Sequence, residues 1–534
     1  MNKTENRSNE EAILLLRRLY KEVQQKSSDN SLILPMFKYS GIFFMFYKHI
    51  SYNFADYLEN EILFEKEFTL TEAYSDEKTF SEMKESSLNS LGYFFTSPDY
   101  LFGEIALKSG EGDFFYNFKN LEEGIVCQKD TRLNSYFKEI FSDAAFYLDN
   151  SFFRDNEEIF LKQFSIIDNL HMDGSPDFKG FFSLFTILFF KDSDNGAILL
   201  NLAKGIKKDI SSVLNPFMGI GNFLTAFSDE TVTVGIEEEK LLYSVSKMYL
   251  IMKKNNVENL NLSNENNFQY LNQENESFDL IISDFNSESF NSKYTRFKNS
   301  FLENYSKLKN SEFEKILNKK LSTLKTDLKI TNEFKKIVNE SFNDLAYQNM
   351  EKFFSKEEYK PVINSDYYCL IEMFNLLNDE GIMAVSMPQG FLGRNKDSVI
   401  RKYFTEELNA VDVVINFDFI YLTDIPVKVP YREVILIFKK NRDSDKTLFI
   451  DGSGLESDNL LKIYSEYEEI ENISKLVSLE EISDNGFNLS LSRYINNYKG
   501  EYIKLEDVLE QKRELNQKLD RINSGISYLM NKLV

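Results

Sequence analysis

The chain has 534 residues, a formal net charge of −23, 42% hydrophobic and 15% aromatic residues. That length corresponds to roughly three to four units of ordinary domain size, and the apolar content excludes a wholly disordered chain. The acidity repels nucleic acid, so DNA or RNA contact would need a local basic face or a partner subunit.

Two cysteines, Cys127 and Cys369, and two distant histidines, His49 and His171, exclude a disulfide framework. They also argue against a thiolate or His-rich metal centre, so no metal site is expected. The N-terminus, Met1-Asn2-Lys3-Thr4-Glu5-Asn6-Arg7, is polar and lacks a signal peptide. A cytoplasmic location without membrane contact is the expectation, because apolar runs such as Phe181–Phe190 are too short to span a bilayer.

Residues 1–165 read as a mainly helical domain. Ala12–Leu16 begins an amphipathic helix, and Tyr136–Tyr147 and Ile159–Ile167 carry apolar residues three and four apart. Residues 76–98, rich in Ser, Glu and Thr, are expected to contain a loop. Over 166–441 strands alternate with helices. The candidate strands are Ser212–Leu214, Thr231–Ile236, Leu260–Leu262, Phe278–Ser283, Ile382–Met387, Val411–Phe417 and Glu433–Phe438. Near-continuous apolar runs bounded by turns suit strands buried on both faces. They imply a doubly wound α/β sheet of seven strands. The last two are joined without an obvious helix, which suggests an antiparallel strand at one side.

A helical insertion over about 288–360 interrupts this pattern. From Lys293 to Ile337 it holds twelve Lys/Arg against five Asp/Glu, reversing the global charge. It reads either as a solvated helical face or as a surface for phosphate contacts. Residues 442–534 form a polar connector and a C-terminal helix. There Leu505, Val508, Leu509, Leu515, Leu519, Ile522, Ile526, Leu529 and Leu533 make a stripe suited to intramolecular packing or to a partner.

The strand Ser212–Leu214 runs into Asn215-Pro216-Phe217-Met218-Gly219-Ile220-Gly221-Asn222-Phe223. A strand, a turn with Gly-x-Gly and a following helix form a place where backbone closely approaches a nucleotide-like ligand. Glu237 ends the next strand, about 20 residues on, placed to accept both hydroxyls of a ribose. Leu224 stands where a dinucleotide fingerprint has Gly or Ala, which disfavours NAD or FAD. A mononucleoside-sized cofactor such as S-adenosylmethionine needs no pyrophosphate cradle.

Four stretches together resemble the modification subunits of type I restriction-modification systems, which are N6-adenine DNA methyltransferases. They are Asn215–Leu224, Gly235-Ile236-Glu237, Gly381–Leu392 followed by Ile400-Arg401-Lys402, and Leu479–Ile482 followed by Phe487–Ile495. The resemblance runs from about residue 165 to the end. It implies a SAM-dependent methyltransferase-like sheet between the N-terminal helical domain and the C-terminal helical tail. Asn215, Pro216, Phe217, Gly219, Gly221, Asn222, Phe223 and Glu237 would hold S-adenosylmethionine. Asp284, the Phe285 carbonyl and Asn286 would position the target amino group. DNA, a specificity subunit and a restriction subunit are the implied partners.

Departures from the family pattern weigh on that reading. The family carries Asn/Asp-Pro-Pro-Phe/Tyr after the fourth strand, its aromatic stacking on a base flipped from the duplex. Here the run is Asp284-Phe285-Asn286-Ser287, without either proline. A reacting group displaced by about 1 Å loses on the order of a hundredfold in rate. Lys191–Asn195 stands in place of the family's Gly-x-Phe-Tyr-Thr-Pro run, while Gly92–Pro98 resembles that run far upstream. An active methyltransferase subunit is therefore one reading, and a catalytically inactive structural subunit of a restriction or phage-defence complex is another. A methyltransferase for RNA or protein is a third, against which Asn488–Tyr494 stands.

Overall fold

The computed structural model describes residues 3–26, 33–64, 68–108, 121–148, 155–170, 196–284 and 365–495, together with Arg513. Within these ranges positions 255, 266, 268–269, 272–275, 418, 423–424 and 431–432 are excepted. Phe285, Asn286, Phe181–Phe190, Lys191–Asn195, the basic insertion and, apart from Arg513, the C-terminal stripe lie outside the described residues.

The N-terminal region is helical because one apolar helix organises it. Ile33–Tyr57 is buried around most of its circumference, the mark of a central helix. Its aromatic residues at i, i+4 spacing, Tyr39, Phe43 and Tyr47, are all fully buried. Phe43 and Tyr47 stack at 6.0 Å, and Phe44 and Phe46 meet Phe164 and Phe137 edge-on at 5.1 and 5.8 Å. Those partners come from the helices Glu157–Asp168 and Arg132–Leu148.

The loop expected over 76–98 is mostly a helix, Glu77–Ser90. Asp76 caps it by accepting from Thr79 N at 2.8 Å, and Thr79, Met83 and Ser87 give it a buried side. Capping and a narrow buried face outweigh its polar composition. The Gly92–Pro98 run supplies a short strand, β1 (Tyr93–Phe95), antiparallel to β2 (Ile125–Cys127).

The sheet comprises β3 (Ser212–Asn215), β4 (Val232–Ile236), β5 (Leu260–Ser263), β6 (Phe278–Asp284), β7 (Leu377–Pro388), β8 (Val411–Asn416), β11 (Glu433–Lys439), β12 (Lys446–Asp451) and β13 (Ser474–Ser478). Between β8 and β11 a hairpin of β9 (Phe419–Leu422) and β10 (Ile425–Pro430) stands apart. The order across the sheet is β13-β12-β8-β11-β7-β6-β3-β4-β5. All seven expected strands are present, and β12 and β13 widen the sheet to nine. The antiparallel strand expected from the pair β8 and β11 is not at the side of the sheet, although β13, antiparallel to β12, does form an edge. β11 lies inside the sheet, antiparallel to both β7 and β8, because the β9–β10 hairpin reverses the chain and returns it beside β8.

Successive side chains alternate between two cores. Val213, Leu280, Ile282 and Ala384 belong to one contiguous cluster with the N-terminal helices. Leu214, Ile281, Met383 and Val385 belong to the other, covered by the helices Ser365–Asn375 and Ser398–Lys402 and by Leu489–Ile495. Cys127 and Cys369 are both buried. Among the described residues no helix is long and apolar enough to cross a membrane.

Specific contacts fasten the β5 edge and the β8 side of the sheet. At the β5 edge, Tyr136 donates its hydroxyl to Leu260 O at 2.5 Å and accepts from Leu262 N at 3.0 Å. At the opposite side, the Arg442 guanidinium reaches Asp412 Oδ1 at 2.9 Å and Val411 O at 2.7 Å, with both side chains of the ion pair buried. Tyr464 of the helix Ser457–Glu466 donates to Asp412 Oδ2 at 2.9 Å. Removing one partner of a buried pair strands the other charge, at a cost of about 3–5 kcal/mol. Arg442→Met is expected to lose that much stability, read by urea denaturation.

Asp279 sets the register of three neighbouring strands. It accepts from Ser211 Oγ (2.5 Å), Ser211 N (2.9 Å), Ser212 N (3.1 Å) and Asn378 Nδ2 (2.8 Å). Burial raises its pKa, but these donors outweigh burial and hold it down at about 2. A depressed carboxyl stabilises the fold above its ordinary value of 3.8 and loses that contribution as pH falls through about 2. Asp279→Asn is expected to lower stability at pH 6 and to flatten the acid limb between those two values in urea titrations.

Candidate active site

In open α/β sheets ligands bind beyond the carboxyl ends of the strands, and the candidate residues gather there. β3 ends at Asn215, and the chain turns through Gly219 (φ +56°) and Gly221 (φ +82°). This left-handed backbone favours glycine. A Cβ at Gly219 would meet nothing within 4 Å, so the backbone is open to close approach. The helix expected after the turn is only a five-residue 3-10 segment, Asn222–Ala226. Just ten residues, 222–231, separate Gly221 from β4, too few to run a longer helix and return.

The turn is tied to the end of β4. Met218 N donates to Ile236 O at 3.1 Å, and Gly219 N donates to Glu237 Oε2 at 3.2 Å. Glu239 N donates to Glu237 Oε1 at 2.9 Å. Asn267, unforeseen from the sequence, is fully buried and donates to Pro216 O at 2.6 Å and Ile236 O at 3.1 Å. Asn264 holds the carbonyl of Glu237 at 2.7 Å. Glu237 is completely buried, so its carboxylate braces the turn. An ionised carboxylate has about four acceptor sites, so it can brace the turn and meet a hydroxyl as well.

The other residues expected around the cofactor surround the same turn. Asn215 accepts from Phe217 N at 3.3 Å, and Asn222 accepts from Tyr249 OH at 2.9 Å. Phe217 packs on one core of the sheet and Phe223 on the other. Asn215 Nδ2, Asn267 Oδ1 and Ser283 Oγ are buried with no hydrogen-bond partner among the described residues. Each such group costs about 1–3 kcal/mol when left unpaired. Asn215 ends β3, Asn267 bonds the turn that follows it, and Ser283 lies near the end of β6.

Asp284 closes β6, the strand next to β3, and lies in register with Ser386 of β7. Ser386 Oγ donates to Glu433 Oε2 at 2.7 Å, and Gln389 Nε2 donates to Asn416 Oδ1 at 2.8 Å. The carboxyl ends of β6, β7 and β8 and the start of β11 thus present a polar rim. Ser386, Gln389, Asn416 and Glu433 are not singled out by the sequence. Their only signal is a polar residue at the end of each apolar run.

A cleft of about 710 Å³ lies between Arg132–Leu148 and the helix Lys240–Lys253, lined by Glu139, Asp143, Lys247 and Asn264 among others. Lys247 pairs with Glu139 at 2.7 Å, and burial lowers its pKa despite both carboxylates. This network fastens the N-terminal helices to the β5 end of the sheet, beside the glycine turn.

Comparison with known proteins agrees with this architecture. A family model described as N-6 DNA Methylase matches residues 306–502, which takes in β7 to β13 and Phe487–Ile495 but not the glycine turn. The type I restriction enzyme MjaVIII methylase subunit of Methanocaldococcus jannaschii is 26% identical over 251 residues, 40% of this chain and 41% of its own length. The MpnII methylase subunit of Mycoplasma pneumoniae is 29% identical over 151 residues, covering 26% of this chain and 27% of that protein. The match thus spans less than half of either relative.

Among solved structures, the type I restriction-modification methyltransferase subunit of Streptococcus thermophilus aligns with a TM-score of 0.61 and 18% identity, over 91% of this chain and 99% of that one. The chain has the α/β fold of SAM-dependent methyltransferases with a helical N-terminal region. Its resemblance to type I modification subunits extends from motifs to architecture.

If Glu237 braces the turn, its removal frees two amides. In Glu237→Ala, hydrogen exchange at Gly219 and Glu239 is expected to rise on the order of tenfold or more, while exchange within β8 and β11 stays unchanged.

Proposed function

We propose that this protein is the modification subunit of a type I-like restriction-modification system, methylating N6 of adenine in DNA from S-adenosylmethionine together with a specificity subunit. The observation that carries the reading is the adjacency of two strand ends. The glycine turn and Glu237 stand on β3 and β4, Asp284 stands on β6 beside β3, and unpaired buried polar atoms lie along that edge.

S-adenosylmethionine, when bound, supplies an electrophilic methyl group. The open backbone at Gly219 admits the cofactor closely, and Glu237 accepts from its ribose hydroxyls. Asn215, Pro216, Phe217, Asn222 and Phe223 complete the walls of that site. Asp284 accepts a hydrogen from the adenine amino group, with the Phe285 carbonyl and Asn286 beside it. This would direct the nitrogen lone pair at the methyl carbon; as the carbon–nitrogen bond forms, the methyl–sulfur bond would break with its electron pair left on sulfur, and the amino proton would pass to the Asp284 carboxylate or to water. Orientation of this kind provides much of the rate.

With an overall charge of −23, DNA contact falls to the basic insertion of 288–360 and to the specificity subunit. Residues 1–165, 166–441 and 442–534 act as helical domain, methyltransferase domain and partner-binding tail. A restriction subunit would complete the assembly.

The loop Asp284-Phe285-Asn286-Ser287, without prolines, and the burial of Glu237 favour a second reading, an inactive structural subunit. Labelled S-adenosylmethionine with DNA and the partner subunit separates them. The first reading expects methyl transfer, reduced about a hundredfold or more in Asp284→Ala with unchanged cofactor affinity by calorimetry. Cofactor binding without transfer supports the second, and no cofactor binding defeats both the cofactor assignment and the proposed reaction.

A further inference from the structure

Two stretches far apart in sequence meet behind the polar rim. The first is the loop after β7, Gln389–Arg394, held by bonds from Gly393 N and Arg394 N to Gly390 O. The second is Phe487–Ile495. It enters through left-handed backbone at Gly486 and Phe487 (φ +63° and +55°). The segment forms a 3-10 turn at Leu491–Arg493 and lays Tyr494 against Phe449 of β12 at 4.4 Å.

One side chain joins them. Arg401 is 2% exposed and donates from Nε to Phe487 O at 2.5 Å, and from Nη1 to Phe391 O at 2.7 Å and Arg394 O at 3.0 Å. Leu489 N adds a bond to Leu392 O at 2.9 Å. A Cβ on Gly393 would stand 2.7 Å from Ser490 Oγ, so the two stretches touch there as well. The loop begins a few residues beyond Ser386, the register partner of Asp284, and Gln389 grips Asn416 on β8.

We propose that Phe487–Ile495 sets the position of the Gln389–Arg394 loop, and with it the substrate edge of the site, through the buried guanidinium of Arg401. A buried cation is retained only where its hydrogen bonds are met, and packing alone would be served by an apolar side chain of similar volume. The planar fork of arginine reaches carbonyls on both stretches, whereas a lysine ammonium is a point donor. Arg401 is thus a positioning residue. Because Phe487–Ile495 precedes the C-terminal stretch, a partner bound there would act on the substrate edge and leave the cofactor turn alone. The effect on methyl transfer rests on the function proposed above, whereas the coupling of loop to segment does not.

Hydrogen exchange on the full chain tests the coupling with two variants. Arg401→Lys keeps the charge and loses the fork. Gly393→Ala leaves Arg401 intact and pushes against Ser490. In both, exchange in Gln389–Arg394 is expected to rise on the order of tenfold, with Met218–Glu239 unchanged. Cofactor affinity should hold by calorimetry, while methyl transfer falls about ten- to a hundredfold.

An unchanged loop in both variants overturns the coupling. So does a rise spread evenly across the sheet, since that reports lost stability only. A loosened loop with undiminished transfer overturns the role at the substrate edge. A wild-type protein without transfer defeats the proposed function instead, and the exchange result still decides the coupling.

Discussion

The carboxylate of Glu237, bound to the amides of Gly219 and Glu239, joins the ends of β3 and β4. Without it the left-handed turn at Gly219–Gly221 would lose its side-chain tie to the end of β4, leaving the bond from Met218 N and the Asn267 amide across that junction. Because the turn lacks a long helix behind it, side chains must provide the rigidity that a helix N-terminus would otherwise supply. Asn267, Asn264 and Tyr249 do so from three sides. This explains why so many polar groups are buried at one strand edge, and why a ligand there would meet a surface already arranged.

Rigidity of the turn depends in turn on how the β5 edge and the β8 side of the sheet are fastened. β5 is an edge strand, and an open edge there, next to β4 and the glycine turn, would allow slippage or pairing with another chain. Tyr136 caps it, and Lys247 with Glu139 and Asp143 fastens the same helix to Lys240–Lys253. The N-terminal helices therefore act as a wall beside the strands β3 to β5. The far side is extended by β12 and β13 and locked by Arg442 and Asp412.

Much of this is readable in the chain, for identifiable reasons. The seven strands stand out because both faces are buried, which makes continuous apolar runs. The glycine turn and Glu237 are legible because their roles depend on local spacing. Pairing is tertiary, so the insertion of β11 between β7 and β8 leaves no mark in the sequence. β12 and β13 are hidden because Lys446–Asp451 and Ser474–Ser478 are short and lie within a Ser/Asp/Glu-rich stretch. Helix Glu77–Ser90 is obscured by composition, although Asp76 is a recognisable cap. The burial of Glu237, the Ser386–Glu433 bond and the reach of Arg401 join positions 18 to 86 residues apart, beyond any local pattern.

The altered run at Asp284 takes on a different weight in this setting. Prolines stiffen a loop from within by fixing φ, and Asp284–Ser287 has none. Stiffness at the substrate edge can also come from neighbouring strands. Asp284 is the last residue of β6 and is held by the ladder to Ser386, which is itself bonded to Glu433. Gln389 and Asn416 continue that rim, and Arg401 ties the loop beyond it to a segment anchored on β12. The carboxylate is thus positioned by strand pairing rather than by its own loop. On the function proposed above, the absence of prolines bears chiefly on the contacts that the next three residues would make to a base. They bear much less on where the side-chain oxygens of Asp284 stand.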